Sequence, residues 1–227
     1  MSTPHLFRQF TYGSEKEFEE DVVMLAEQIF GPSTIYVNVK KRVRGADIVT
    51  IPDGYLIDMT EADEPKLYVI ENEIVSHDPF RHIGIQMLKF VTSFDDGKIA
   101  VRNFLMDEIA KNPEALAKLK EGCDQSNSRN IDNYLDVAVY GDFRGIVVID
   151  EARPELHRVL EKIYANISVF ELKTFVSDRG ERLHMFDTLY DEFDENLPQT
   201  ARHAGSRKTV SAETRAARRK ECQNNNL

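Results

Sequence analysis

The chain has 227 residues, 41% hydrophobic and 30% charged, with a net charge of −10; this balance suits a folded globular protein of one sizeable domain or two small ones. No apolar run reaches the roughly 18 residues that a membrane helix needs, and the N-terminus, MSTPHLFRQF, lacks a signal-peptide pattern. Two distant cysteines, Cys123 and Cys222, give neither a disulfide framework nor zinc-ligand spacing, so a cytoplasmic protein is expected.

Residues 14–30, SEKEFEEDVVMLAEQIF, carry a helical apolar arc of Phe18, Val22, Leu25, Ala26 and Ile29, with Ser14 as N-cap and Gly31-Pro32 as stop. From Phe18, Glu15 falls at about 60° and Glu19 at about 100°, at the edge of the arc, while Glu20 falls at about 200°, in solvent. Glu19, or Glu15 in its place, is the carboxylate expected to face a sheet. An acidic first turn favoured by the helix dipole accounts for either one equally well.

Strands are predicted at 34–41 (TIYVNVKK), 46–51 (ADIVTI) and 67–75 (LYVIENEIV). Pro52-Asp53-Gly54 is a turn between the last two, with Tyr55 to Met59 prolonging the strand or forming a small excursion. A helix at 80–94 follows, its buried face made by Ile83, Met87, Phe90 and Phe94. Residues 100–140 are helical, with Asn112-Pro113 opening a short helix and CDQSNSRN (123–130) forming a polar loop.

The second half adds a strand at 145–149, a helix at 154–166 and strands at 167–176 and 181–190, extending the first half's sheet. The expected fold is α/β: a central mixed sheet of five or six strands flanked by helices. It forms one domain over 1–190 with a helical insertion at about 100–140. Residues 191–227 are an acidic linker and a basic tail expected to be disordered. Residues 201–227 carry seven Lys or Arg against two Glu, a charge of +5, which leaves −15 on the rest. Such a body argues against a broad basic grip on nucleic acid and for a narrow cleft, a recruited partner, or the tail as the electrostatic contact.

In LYVIENEIV, Leu67, Val69, Glu71, Glu73 and Val75 share one face of the strand. Two carboxylates about 7 Å apart on a face that is otherwise apolar repel each other and lose hydration. If the strands holding Asp47 and Glu71 pair, the two converge with Glu19 nearby, and Mg²⁺ or Mn²⁺ would offset the repulsion, since hard cations prefer oxygen ligands. Asp47, Glu71 and Glu19 are thus candidate metal ligands. On the next helix His82 and Gln86 lie one turn apart beside the apolar stripe; Gln86 would hold a water or a substrate phosphate, or is a surface residue. His77 and Asp78 follow the strand and would reach the same end of the sheet, although Asp78-Pro79 also suits a helix cap.

The ordered set of a glutamate-bearing helix, a strand, Asp47 in GADIVTI, Glu71-x-Glu73 in LYVIENEI and a helix carrying GIQMLKF resembles the PD-(D/E)xK nuclease superfamily over residues 14–94. The segment 144–190 resembles a sheet extension found in several of its branches. The resemblance implies a restriction-endonuclease-like fold and metal-dependent hydrolysis of phosphodiester bonds, with DNA as the substrate. Glu73 stands where the family has lysine; it would act as general base or as a further ligand. The missing cation would come from Lys40, Lys41 or Lys89. His77, His82 and Lys89 would contact substrate.

Two other readings compete: a nuclease fold with altered catalysis serving as a nucleic-acid-binding or assembly subunit, and a regulatory α/β protein whose acidic residues pair with Arg42, Arg44 or Arg81. A homodimer, and a protein partner in defence or repair, are family-level expectations; no membrane partner is expected.

Overall fold

Ser14 caps the first helix: its hydroxyl accepts the Glu17 N–H at 3.3 Å, satisfying a backbone donor that the first turn leaves over. The computed structural model describes residues 6–39, 51–77, 79–163 and 166–187. All fall within one unit, Met1–Asp191; a second, Glu192–Leu227, lies outside the described residues. After a short strand β1 (Phe7–Gln9), the predicted first helix forms as α1 (Glu15–Met24) and α2 (Ala26–Phe30), separated at Leu25, whose φ of −97° and ψ of 4° leave helical geometry.

The strands are β2 (Thr34–Asn38), β3 (Gly54–Asp58), β4 (Lys66–Glu73), β5 (Arg144–Ile149), β6 (Asn166–Ser177) and β7 (Arg182–Phe186). The helices between them are α3 (Pro79–Ala110), α4 (Pro113–Asp124), α5 (Ile131–Val139) and α6 (Pro154–Leu160). The fold is α/β, with a seven-stranded mixed sheet flanked by helices. Its order is β1-β6-β5-β4-β3-β2, with β7 also on β6. The β2–β3–β4 pairs are antiparallel and the β4–β5–β6 pairs parallel, so β4 belongs to both halves.

The strand pairing β4 on the first-half side is Gly54–Asp58, not 46–51. Ile51 is exposed and outside any strand; Lys40, Lys41, Arg42, Arg44 and Asp47 lie outside the described residues. Pro52-Asp53-Gly54 leads straight into β3, and the chain turns instead at 59–65. A proline is tolerated at a strand's entry, where no ladder donor is required, and the Asp53 N–H makes the next bond, to the Ile70 carbonyl at 3.1 Å.

Helix α3 runs through Gly97 for 32 residues, although an interior glycine costs about 1 kcal/mol relative to alanine. Local contacts steady that turn: Lys98 pairs with Asp95 at 2.7 Å and lies over the Phe94 ring. Asn112 caps α4, accepting from the N–H groups of Glu114 and Ala115. The helix predicted to end at 166 stops at Leu160.

Each sheet face has its own core. On one face Leu67, Val69, Tyr55, Ile57, Val147 and Ile149 pack with Ile83, Met87, Phe90 and Leu105 of α3. On the other, Leu56, Ile70, Ile74 and Val148 pack with Phe18, Val22, Ile29 and Phe30 of the first two helices. Each such fully buried side chain contributes about 1.5–3 kcal/mol by leaving water. At the β6 end, Arg182 of β7 holds Asp21 of α1 with two bonds of 2.8 and 3.1 Å. Tyr12 donates to Asp21 at 2.8 Å, and the Thr174 hydroxyl lies between Tyr12 and His184 Nδ1. No described helix is long and apolar enough to cross a membrane.

Candidate active site

Glu71 and Glu73 end β4 on the face that α3 covers, and each is 4% exposed. The same alternation puts Asp53 on that face, two residues ahead of Tyr55. Gly54 pairs with Ile70, so Asp53 lies beside Glu71 on the adjacent strand. Its N–H reaches the Ile70 carbonyl, and its Oδ2 accepts the Asn72 N–H at 2.7 Å. Asp53 is therefore tied to the peptide groups on both sides of Glu71, and is 2% exposed.

Helix α3 runs back along β4 and makes two rungs with it. Gln86 Nε2 donates to Glu71 Oε2 at 3.0 Å, and His82 Nδ1 lies 3.3 Å from Glu73 Oε2. Two residues on a strand span about 6.7 Å and one helical turn rises about 5.4 Å, which is why residues 71 and 73 meet 86 and 82.

Glu19 is buried and Glu20 exposed, yet Glu19 approaches from α1, on the face opposite Glu71 and Glu73. It accepts from Asn38 Nδ2 at 2.7 Å. Tyr36, on the same strand and face as Asn38, accepts from Asn72 Nδ2 at 3.2 Å. Burial pushes the Tyr36 phenol well above its usual range; the Asn72 bond opposes this, and the charges of Asp53, Glu19 and Glu71 add to it. One buried hydroxyl thus senses carboxylates from both faces of the sheet. Tyr36 also dictates Gly54, since a Cβ there would lie 2.6 Å from the phenol oxygen.

The site therefore brings together Glu71, Glu73, Gln86 and His82 of the candidates, but not Glu19, which the sheet separates from them on its opposite face. Lys89 is exposed one turn beyond Gln86. The side chains of His77 and Arg81, and all of Asp78, lie outside the description. The sequence reading misses Asp53, whose signal was present: it precedes a strand alternating in phase with β4.

Among the described residues, no three of His, Cys, Asp and Glu form a metal-binding group. The donor chemistry nonetheless suits a hard cation, because Mg²⁺ needs only one or two carboxylates beside waters and substrate phosphate. On the opposite, α1 face of the sheet, the side-chain oxygens Asn38 Oδ1 and Asn72 Oδ1 are buried without a hydrogen-bond partner among the described residues, which a water would satisfy. No family model, no curated protein and no solved structure matches the chain.

Proposed function

We propose that the protein is a metal-dependent nuclease that hydrolyses phosphodiester bonds in DNA, with Asp53 and Glu71 as the residues that hold Mg²⁺ or Mn²⁺. The observation that carries this reading is the fastening of Asp53 to the peptide groups on both sides of Glu71. Two buried carboxylates on one strand pair are costly in an apolar setting and useful beside a divalent ion. A bound cation would neutralise charge on the scissile phosphate and acidify attacking water. Pro52-Asp53 followed by Glu71-Asn72-Glu73 also spells the order that gives the PD-(D/E)xK superfamily its name, with Glu73 in the lysine place. Asp53 thus takes the part expected of Asp47.

In this reading Gln86 fixes the Glu71 carboxylate through its amide and keeps its own Oε1 for water. Asn72 and Tyr36 brace the strand ends so that Asp53 and Glu71 stay in register. DNA as the polymer rests on the superfamily resemblance.

The test is cleavage of supercoiled and single-stranded DNA with Mg²⁺ or Mn²⁺. Wild-type protein is expected to cleave, and Asp53→Asn and Glu71→Gln to lose at least about 100-fold, while folding as wild type by circular dichroism. Loss of activity in Asp47→Asn with full activity in Asp53→Asn would reject this ligand pair. Metal binding by calorimetry without cleavage would favour the second reading, a nuclease fold kept for binding, which Glu73 and the acidic body support.

A further inference from the structure

We propose that the outer face of α3 is a self-association surface, on which a second copy of this chain packs its own α3 antiparallel. Opposite the buried row of Ile83, Met87, Phe90 and Phe94, three large apolar side chains of this helix stay in water: Ile85 is 47% exposed, Leu88 51% and Ile99 67%. Scattered apolar residues are ordinary at a surface, but these share one stripe. At 100° per residue Leu88 and Ile99 fall about 60° and 40° to one side of Ile85, with Thr92 between at about 20°. Thr92 turns its hydroxyl back onto the helix, donating to the Leu88 carbonyl at 2.9 Å and the Lys89 carbonyl at 3.1 Å, so its methyl group continues the stripe. Asp95, which interrupts it, is held by Lys98 at 2.7 Å. The alternating steps of three and four residues are those by which two helices seat into each other.

Charge beside the stripe selects the occupant. Lys89 and Asp96 are both exposed and lie on the same flank, about 40° and 20° to the other side of Ile85. A two-fold axis reverses the chain direction and keeps each flank beside the same flank of the other helix. With the axis near Ser93, Leu88 faces Ile99 of the second copy and Lys89 faces its Asp96, and each contact occurs twice. A parallel partner would instead set Lys89 level with Lys89 and Asp96 level with Asp96. The charge of −15 outside the final 27 residues makes two copies repel in general, so a local match of this kind is what lets them meet.

Gln86, which holds Glu71, adjoins Ile85, so the dimer carries two candidate sites on one particle. The interface itself does not depend on the nuclease reading, and its test involves no cleavage.

The experiment is sedimentation equilibrium of the full chain from about 1 to 500 μM, the range in which a small interface associates. Wild-type protein is expected to dimerise. Lys89→Glu and Asp96→Lys should each weaken the dimer at least about tenfold, while keeping wild-type circular dichroism, because both positions are exposed. Combining the two substitutions in one chain should return affinity to within about threefold of wild type, since the pair is restored with its signs exchanged. Mixing the two single variants should likewise restore association, as a heterodimer. Wild-type protein that stays monomeric at about 500 μM would overturn the proposal. So would a dimer that neither substitution weakens, or one that the combined variant fails to restore.

Discussion

A single hydrogen atom in place of a methyl group decides how Tyr36 sits. With a Cβ at position 54 the nearest neighbours would be the Tyr36 oxygen at 2.6 Å and its ring carbon at 2.7 Å, and Tyr36 is walled in by Phe30 and by its bond from Asn72. Gly54→Ala should therefore destabilise the fold by about 1–3 kcal/mol, as overpacking does, read as a lower urea midpoint. His184 supplies a second test at this scale. Burial lowers its pKa below 6.5, with Asp21 opposing and Arg182 reinforcing the shift. The folded pKa is thus the lower one, and the unfolded chain takes up the proton first as pH falls. Stability from this group is complete above pH 6.5 and declines below it. Unfolding from pH 7.5 down to 5 should show a smaller fall in His184→Gln than in wild type. Asp53 shows why a residue's role can stay hidden: Pro-Asp-Gly is turn chemistry in isolation, and only the register with β4 turns it into the start of a strand.

Among the elements, α3 and α6 approach closely at Gly84, where a Cβ would meet Val159 Cγ1 at 2.5 Å. Gly84→Ala should destabilise by about 1–3 kcal/mol, and adding Val159→Ala should return much of it, a non-additivity that a double-mutant cycle detects. The apolar periodicities were legible in the sequence. Ile83, Met87, Phe90 and Phe94 are all buried, and the strands at 34, 67, 145 and 167 form close to their expected places. The union of 80–94 and 100–110 into one helix was not legible, because Gly97 reads locally as a weak point and the Phe94–Lys98–Asp95 contacts that steady it depend on side-chain placement. The pairing of Glu73 with His82 was likewise out of reach, since it depends on α3 running back along β4.

For the molecule as a whole, electrostatics and topology matter most. A charge of −15 outside the final 27 residues, against +5 within them, repels a polyanion unless the tail or a cation intervenes. On the proposed nuclease reading, removing residues 201–227 should weaken binding to DNA and flatten its salt dependence, because the slope counts the phosphates neutralised; an unchanged slope would exclude the tail as the contact. The position of β4, antiparallel to β3 and parallel to β5, has a consequence in time. Its pairing with β3 closes a short loop, whereas pairing with β5 must await the excursion through α3, α4 and α5. Short closures lose less chain entropy, so the meander that seats Asp53 beside Glu71 should gain amide protection in pulse-labelling before β5 and β6. The acidic pair would then assemble in water and lose its hydration only when α3 closes over it, late in folding.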